Sequence, residues 1–139
     1  MTETSSAATP SGVAEGVITK LSPRSVTDTV ARLSSEVEGR GIKVFAVIDH
    51  GGAAEAVGLE LRETKVVMFG NPKGGTPAMV EMPLAALDLP LKVLVWADGS
   101  ETKVSYLAPS ALAARWGLSD AAAAPLAIID VVTDAVVER

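Results

Sequence analysis

The sequence predicts a single α+β domain in which a mostly antiparallel sheet packs against helices. Three observations predict this class: apolar residues recur at helical spacing after Ser25, short runs typical of strands lie on both sides of that segment, and two such runs enclose a turn over 97–100. The chain has 139 residues, the size of one domain with one hydrophobic core. We expect residues 13–139 to form that domain and residues 1–12, rich in Ser, Thr and Ala, to be a disordered tail.

The helix after Ser25 is the most strongly patterned element. Ser25 is expected to be its N-cap, and Gly39 and Gly41 are expected to end it. Its predicted buried face is formed by Val26, Val30, Leu33 and Val37.

The remaining elements follow from apolar runs and from Gly and Pro. The run 42–48 is apolar at nearly every position, which predicts a strand covered on both faces. Thr76-Pro77 predicts a helix start, so 71–75 is expected to be a tight turn in which Asn71 and the glycines take positive φ. We expect further strands over 13–21, 65–69, 91–96 and 101–107, and further helices over 53–57, 109–116 and from Ser119 onward.

Composition and charge exclude several functions. Hydrophobic residues make up 48% of the chain, yet no apolar run approaches the ~20 residues that cross a bilayer. Cysteine is absent, which excludes thiolate metal sites and cysteine nucleophiles. The formal net charge is −5 and the basic residues are scattered singly, which does not favour a phosphate backbone. We expect a soluble, cytoplasmic protein without nucleic-acid or membrane partners.

Polar residues follow two of the predicted strands. Asp49 and His50, the only histidine, come after one apolar run, and Asn71 follows Phe69 at the end of the next. We expect these strand ends to meet at the rim of one small-ligand pocket. The candidate ligand-binding residues are His50, Asp49, Phe69, Asn71, Gly75, Thr76 and Lys92.

Each candidate also has a purely structural interpretation. His50 can be a packing or capping residue, or it can carry a proton near neutral pH. A lone histidine cannot build a nitrogen-only zinc site, so a cation would need Asp49, Glu55 or Asp88, and no metal site is expected. Lys92 can supply a cation to the site, or it can protect an edge strand from aggregation.

The glycine-rich segment 70–76 invites comparison with a phosphate loop. Glycines between a strand and a helix can expose backbone N–H groups to an anion. However, the segment lacks the Walker spacing, and Pro72 and Pro77 each remove a donor. A tight turn is therefore the favoured interpretation, with a carboxylate or phosphate site as the alternative.

These residues also carry a resemblance. Over roughly 13–137, the order and spacing of Ile48-Asp49-His50, Phe69-Gly70-Asn71-Pro72, Gly75-Thr76 and the segment 87–92 resemble the family labelled domain of unknown function 302. The resemblance implies a compact α+β fold and a tendency to form homodimers, and it implies no agreed reaction. It also implies a histidine after the arginine of the penultimate helix, where this chain has Trp116 instead. A two-histidine site within one subunit is therefore excluded.

Three functions stay open. The first is a homodimeric module that binds a small ligand near His50 without turnover; if each of two copies supplies one His50, that ligand can be haem or another tetrapyrrole. The second is a small enzyme that uses His50 as general base, with or without a divalent cation. The third is a structural or regulatory dimer without ligand. The expected apolar walls of a pocket are Met68, Phe69, Met79, Met82 and Trp96.

Overall fold

Five antiparallel strands form one sheet in residues 15–139, the part of the chain that the structure, a computed structural model, describes. Their order across the sheet is β1-β5-β4-β3-β2, so β1 and β2 are the edge strands. The expected α+β class is confirmed, whereas the predicted tail over 1–12 lies outside the described residues. The strands are β1 (Val17–Ser22), β2 (Lys43–Asp49), β3 (Thr64–Gly70), β4 (Leu91–Asp98) and β5 (Glu101–Leu107).

Six helices accompany the sheet in the described residues, together with two 3₁₀ segments, Pro83–Asp88 and Ala124–Ala127. The helix predicted to start at Ser119 is divided, because Pro125 lacks the N–H that a continuous helix needs at that point. The helices are α1 (Val26–Gly39), α2 (His50–Glu55), α3 (Pro72–Glu81), α4 (Pro109–Trp116), α5 (Asp120–Ala123) and α6 (Ile128–Val137).

Helices α1 and α6 cover one face of the sheet. As predicted, Ser25 caps α1, since its side chain accepts a hydrogen bond of 3.0 Å from the Asp28 N–H. The apolar face of α1 packs on the central strands, and α6 packs on α1 and β1. The hydrophobic core lies between these layers and includes Val26, Leu33, Val37, Val67, Phe69, Val93, Val95, Val104, Ile129, Val132 and Val136.

The predicted hairpin of β4 and β5 is confirmed. Its connection is Gly99-Ser100, and Gly99 has φ +61°, a conformation that glycine adopts without steric cost. Leu94 lies opposite Ser105 and Trp96 opposite Lys103, so these four side chains share the face of the sheet that α1 and α6 leave uncovered.

The prediction that the apolar run 42–48 is covered on both faces is wrong. β2 is an edge strand, and Phe45, Val47 and Ile48 are 51%, 45% and 40% exposed. Its pairing with β3 shifts at Phe45, between Val44 and Ala46, which forms a bulge. A continuous apolar run is typical of a buried strand, but it does not determine the strand's position in the sheet.

The expected turn over 71–75 is also wrong, because α3 begins at Pro72 instead of near Thr76. Asn71 is its N-cap, with φ −140°, and the Asn71 side chain accepts a hydrogen bond of 2.9 Å from the Gly74 N–H. Gly74 and Gly75 lie inside the helix without positive φ. The helix predicted over 53–57 likewise begins earlier, at His50.

Within residues 15–139, no helix has both the length and the apolar character needed to span a membrane.

Candidate ligand-binding pocket

A pocket of about 950 Å³ opens at the end of the sheet where β2 and β4 begin and β3 ends. We call it the α3 pocket, because the first half of α3 forms one side. The 3₁₀ segments and the start of α6 close the other sides. It is lined by Arg40, Ile42, Phe45, Ala46, Met68, Gly70, Asn71, Pro72, Lys73, Gly74, Gly75, Thr76, Met79, Ala86, Leu89, Pro90, Leu91, Pro125, Leu126 and Ile128.

Gly74 and Gly75 form the helical wall of the α3 pocket. A Cβ added at Gly75 would lie 3.6 Å from Met79 Cε and 3.8 Å from Leu89 Cδ1, and one at Gly74 would lie 3.9 Å from Pro125 Cβ. These are ordinary van der Waals distances, so alanine fits at both positions. Packing in the fold therefore does not require glycine here. A side chain would instead take up space in the pocket.

In the described part of the chain, few polar groups line the pocket and none of them is acidic. The chain carries 17 acidic and 12 basic residues, yet among residues 15–139 the lining contains the cations Arg40 and Lys73 and no carboxylate. Arg40 forms an ion pair of 2.9 Å with Glu36, one turn earlier in α1. For Lys73, no ion pair is found within residues 15–139. The pocket is thus locally positive in a negatively charged protein.

The first turn of α3 offers few free donors to an anion. Pro72 has no N–H, the Gly74 N–H is bonded to the Asn71 side chain, and the Gly75 N–H donates to the Asn71 carbonyl at 3.1 Å. For the Lys73 N–H, the remaining donor of this turn, no partner is found within residues 15–139. The structure therefore gives little support to a phosphate loop, which needs several converging N–H groups.

Two carboxylates fasten the walls of the pocket to neighbouring helices. Asp88, at the end of the first 3₁₀ segment, accepts hydrogen bonds of 2.9 Å from Arg115 and 2.8 Å from the Trp116 indole. Glu81, at the end of α3, accepts from the backbone N–H and the hydroxyl of Ser119. These two bonds lower the pKa of Glu81, with the backbone bond the larger cause. Trp116 is thus a structural donor.

Helix α6, whose start lines the pocket, is attached to the sheet by a polar cluster. The Tyr106 hydroxyl donates to Asp130, and Lys20 Nζ lies 2.7 Å from both Thr133 Oγ1 and Asp134 Oδ1. Burial, followed by the bond to Asp130, raises the pKa of Tyr106. Burial lowers the pKa of Lys20, but its bonds with Asp134 and Tyr106 outweigh that effect and raise it overall.

The structure brings together three of the seven predicted site residues: Asn71, Gly75 and Thr76 line the α3 pocket. Phe69 does not line it, because its side chain is fully buried in the core. Lys92 lies outside it and donates to the Pro90 carbonyl at 3.2 Å. Lys92 does not guard a sheet edge either, since β4 is an interior strand.

The expectation that His50 and the segment after Phe69 meet at one rim is wrong. In the antiparallel pairing of β2 and β3, Asp49 lies opposite Lys65, whereas Gly70 lies opposite Lys43. The two groups are separated by five residues of strand, about 17 Å. Asp49 is the N-cap of α2 and accepts a hydrogen bond of 2.8 Å from the Gly52 N–H, while His50 is exposed in the first turn.

The oxygen ligands suggested for a cation are not brought together. Asp49 and Glu55 lie at the α2 end of the sheet, and Asp88 lies at the α3 end, bonded to Arg115 and Trp116. Within residues 15–139, no group of three or more potential metal-ligating side chains is found.

Of the expected apolar walls, Met68 and Met79 line the α3 pocket, and Met82 and Trp96 do not. The Trp96 indole donates to Ser105 on the uncovered face of the sheet, at 3.0 Å. Our sequence reasoning missed Arg40, Phe45, Leu89 and Pro125 as lining residues. The sequence signal that could have indicated this pocket was the pair Gly74-Gly75. Glycine is unfavourable inside a helix, so two adjacent glycines in α3 require an explanation.

Comparison with known proteins identifies the family. Residues 18–136 match the family described as Domain of unknown function DUF302, and the chain belongs to that family. A solved structure, an uncharacterized conserved DUF302 protein from Bacillus stearothermophilus, has the same fold with a TM-score of 0.75. It is 20% identical, and the match covers 89% of this chain and 97% of that chain.

Three curated relatives come from Brucella. The chain is 40% identical over 85 residues to the protein named Fluoride-specific ion channel FluC 1 of Brucella suis biovar 1 (strain 1330), a match covering 61% of this chain and 34% of that protein. The proteins named Fluoride-specific ion channel FluC 1 of Brucella abortus and FluC 2 of Brucella melitensis match over 85 residues at the same identity, with 32% of each covered. The chain thus spans about a third of the length of these relatives.

Proposed function

We propose that this protein is a binding module that holds a small, largely apolar molecule in the α3 pocket without chemical turnover. The observation that carries the proposal is the pocket itself, about 950 Å³ in volume, with apolar walls and a wall of two helical glycines. Small-molecule sites are concave, mostly apolar and have a few placed polar groups. Asn71, Lys73 and Thr76 supply such groups here.

The glycine pair supports a functional pocket over a packing defect. Glycine inside a helix costs about 0.5–1 kcal/mol relative to alanine, and alanine fits at both Gly74 and Gly75. Alanine at either of these positions would therefore stabilise the helix relative to the glycine that is present. Binding explains this, because the missing side chains leave the helix backbone open to a ligand.

A neutral hydrophobic dye tests the proposal. Nile red should bind the native protein with a fluorescence increase, and Gly75→Leu should weaken binding at least tenfold because its side chain would point among Met79 and Leu89. Gly39→Leu is the matched control, since a Cβ at Gly39 meets nothing within 4 Å. Equal dye binding by the native protein and Gly75→Leu would contradict the proposal, as would absence of binding to native protein.

Haem held by His50 does not fit the α3 pocket, because the imidazole lies at the other end of β2. The enzyme hypothesis would likewise place its general base outside the pocket. The binding module is therefore the function that we carry forward.

We propose further that two copies associate through the uncovered face of the sheet. An antiparallel sheet with one free face normally presents polar residues there. On this face the central strand β4 and its neighbour β3 carry Val66, Leu94 and Trp96, which are only partly buried, beside the polar Thr64 and Lys92. Pairing these faces would remove that apolar surface from water. Leu94→Glu should shift the sedimenting species from dimer to monomer; a native protein that sediments as a monomer at high concentration would contradict the association.

A further inference from the structure

We propose that the ligand of the α3 pocket is an amphipathic monocarboxylate, a molecule with an apolar body and one carboxylate end. This inference rests on the proposed function and names the class of ligand for the same site. It depends on the charge of the lining, on the number of free donors near it and on the side chains that would contact the body.

The charge of the lining selects an anion. A chain with a formal net charge of −5 repels anions in general, yet the described residues that line the pocket include two cations and no acid. Lys73 lies exposed in the first turn of α3, so its ammonium group can reach a ligand end at the mouth. Arg40 contributes a second cation, because its bond to Glu36 engages one guanidinium nitrogen and leaves the others available.

The hydrogen-bond donors near the pocket favour a carboxylate over a phosphate. A phosphate group presents three acceptor oxygens and, near neutral pH, up to two charges, which proteins satisfy with several N–H groups. In the first turn of α3, the missing N–H of Pro72 and the two bonds to Asn71 leave the Lys73 N–H uncommitted. One N–H, the Thr76 hydroxyl and two cationic side chains suit the two oxygens of a single carboxylate.

The apolar side chains of the lining suit an unbranched apolar body. Phe45, Met68, Met79 and Leu89 provide aromatic, thioether and aliphatic contacts without charge. Methionine adapts its shape to a ligand at low cost because it has three rotatable bonds and no branch. The Gly75 backbone lies beside Met79 and Leu89, so an alkyl chain could pack against the helix itself.

The experiment compares three probes that share one ten-carbon chain, decanoate, decanol and decylamine, by calorimetric titration below the micellar concentrations of the two ionic probes and the solubility limit of decanol. Decanoate should bind about tenfold more tightly than decanol, and decylamine should bind most weakly. The double variant Arg40→Met with Lys73→Met keeps apolar stems but removes both cations, and it should bind decanoate and decanol equally. Lys92→Met is the control, because Lys92 lies outside the pocket and its loss should leave the preference unchanged.

The outcomes separate this inference from the proposed function. If decanol binds as tightly as decanoate, the pocket binds apolar molecules and the carboxylate inference is overturned. The same conclusion follows if the preference for decanoate survives the double variant. If neither probe binds and Nile red does not bind either, the proposed function itself fails.

Discussion

The two ends of the sheet have similar sequence patterns, a polar residue after an apolar strand, but different surroundings. At the α3 end, Asn71 caps a helix that borders a large pocket. At the α2 end, Asp49 caps a helix in the same way, but the six residues of α2 include no buried side chain. A polar residue after an apolar strand therefore identifies a helix start at both ends. Whether that start forms part of a pocket depends on the elements packed around it.

The difference shows why the two strand ends do not form one site. Residues that follow two successive parallel strands lie at the same end of the sheet. Residues that follow two successive antiparallel strands lie at opposite ends of it. β2 and β3 are antiparallel, so His50 and Asn71 are directed to opposite ends. The predictions below test this contrast between the ends.

The largest expected difference concerns core packing. Leu126 is 3% exposed and lines the α3 pocket, while Leu59, after α2, is 64% exposed. Leu126→Ala should lower the free energy of unfolding by about 2–5 kcal/mol, and Leu59→Ala should change it by less than ~0.5 kcal/mol. Urea denaturation measures both variants. Similar losses at the two positions would show that the ends are equally packed.

The second prediction is that one substitution has opposite signs at the two ends. Gly75→Ala should raise the free energy of unfolding by about 0.5–1 kcal/mol, because alanine fits and favours the helix. Gly52→Ala should lower it by up to ~1 kcal/mol, since a Cβ at Gly52 would lie 2.5 Å from Asp49 Oδ2 and displace the capping carboxylate, a loss of about 0.5–2 kcal/mol that outweighs the gain in helix preference. Thermal unfolding of both variants measures these shifts, and a common sign would contradict the contrast.

A smaller effect is expected from acid. The pKa of Glu81 is lowered below its ordinary value of 4.5 by its bonds to Ser119. Its contribution to stability is therefore present above pH 4.5 and is lost as the pH falls through the folded-state pKa. The melting temperature of Glu81→Gln should lie below that of the native protein at pH 7, and the two should converge at acid pH, once the carboxyl is protonated in the folded state as well. A gap that stays constant across this range would rule out the ionised carboxylate as the cause.

The smallest effect is expected at His50, which is exposed in the first turn of α2. His50→Ala should change the free energy of unfolding by less than ~0.5 kcal/mol. It should also leave Nile red binding unchanged, because the imidazole is far from the α3 pocket. Loss of dye binding in this variant would show that His50 contributes to the binding site, as the sequence predicted when it placed His50 and Asn71 in one pocket.

Local sequence patterns predicted much of the fold. Ser25 and the spacing of Val26, Leu33 and Val37 predicted α1, and the turn at Gly99 predicted the hairpin. Both depend on interactions between residues near in sequence. The position of β2 at an edge depends on the arrangement of the whole chain, which a run of apolar residues does not encode.

The site was harder to predict because its signals are ambiguous. Asn71-Pro72 and Thr76-Pro77 both have the pattern of an N-cap followed by proline. In the structure α3 begins at the first pair, with Asn71 as its N-cap, and Pro77 lies inside the helix. Arg40, Leu89 and Pro125 come from three separate segments, and only their packing in the fold brings them to one pocket.

The bulge at Phe45 has a consequence for how this protein behaves when it is concentrated. A fibril grows when a free strand offers an uninterrupted row of backbone donors and acceptors to the next molecule. In β2 that row is broken near its middle, where the register shifts between Val44 and Ala46. The backbone of β2 is therefore a poor template for fibril growth, and its apolar side chains can be exposed without promoting that growth.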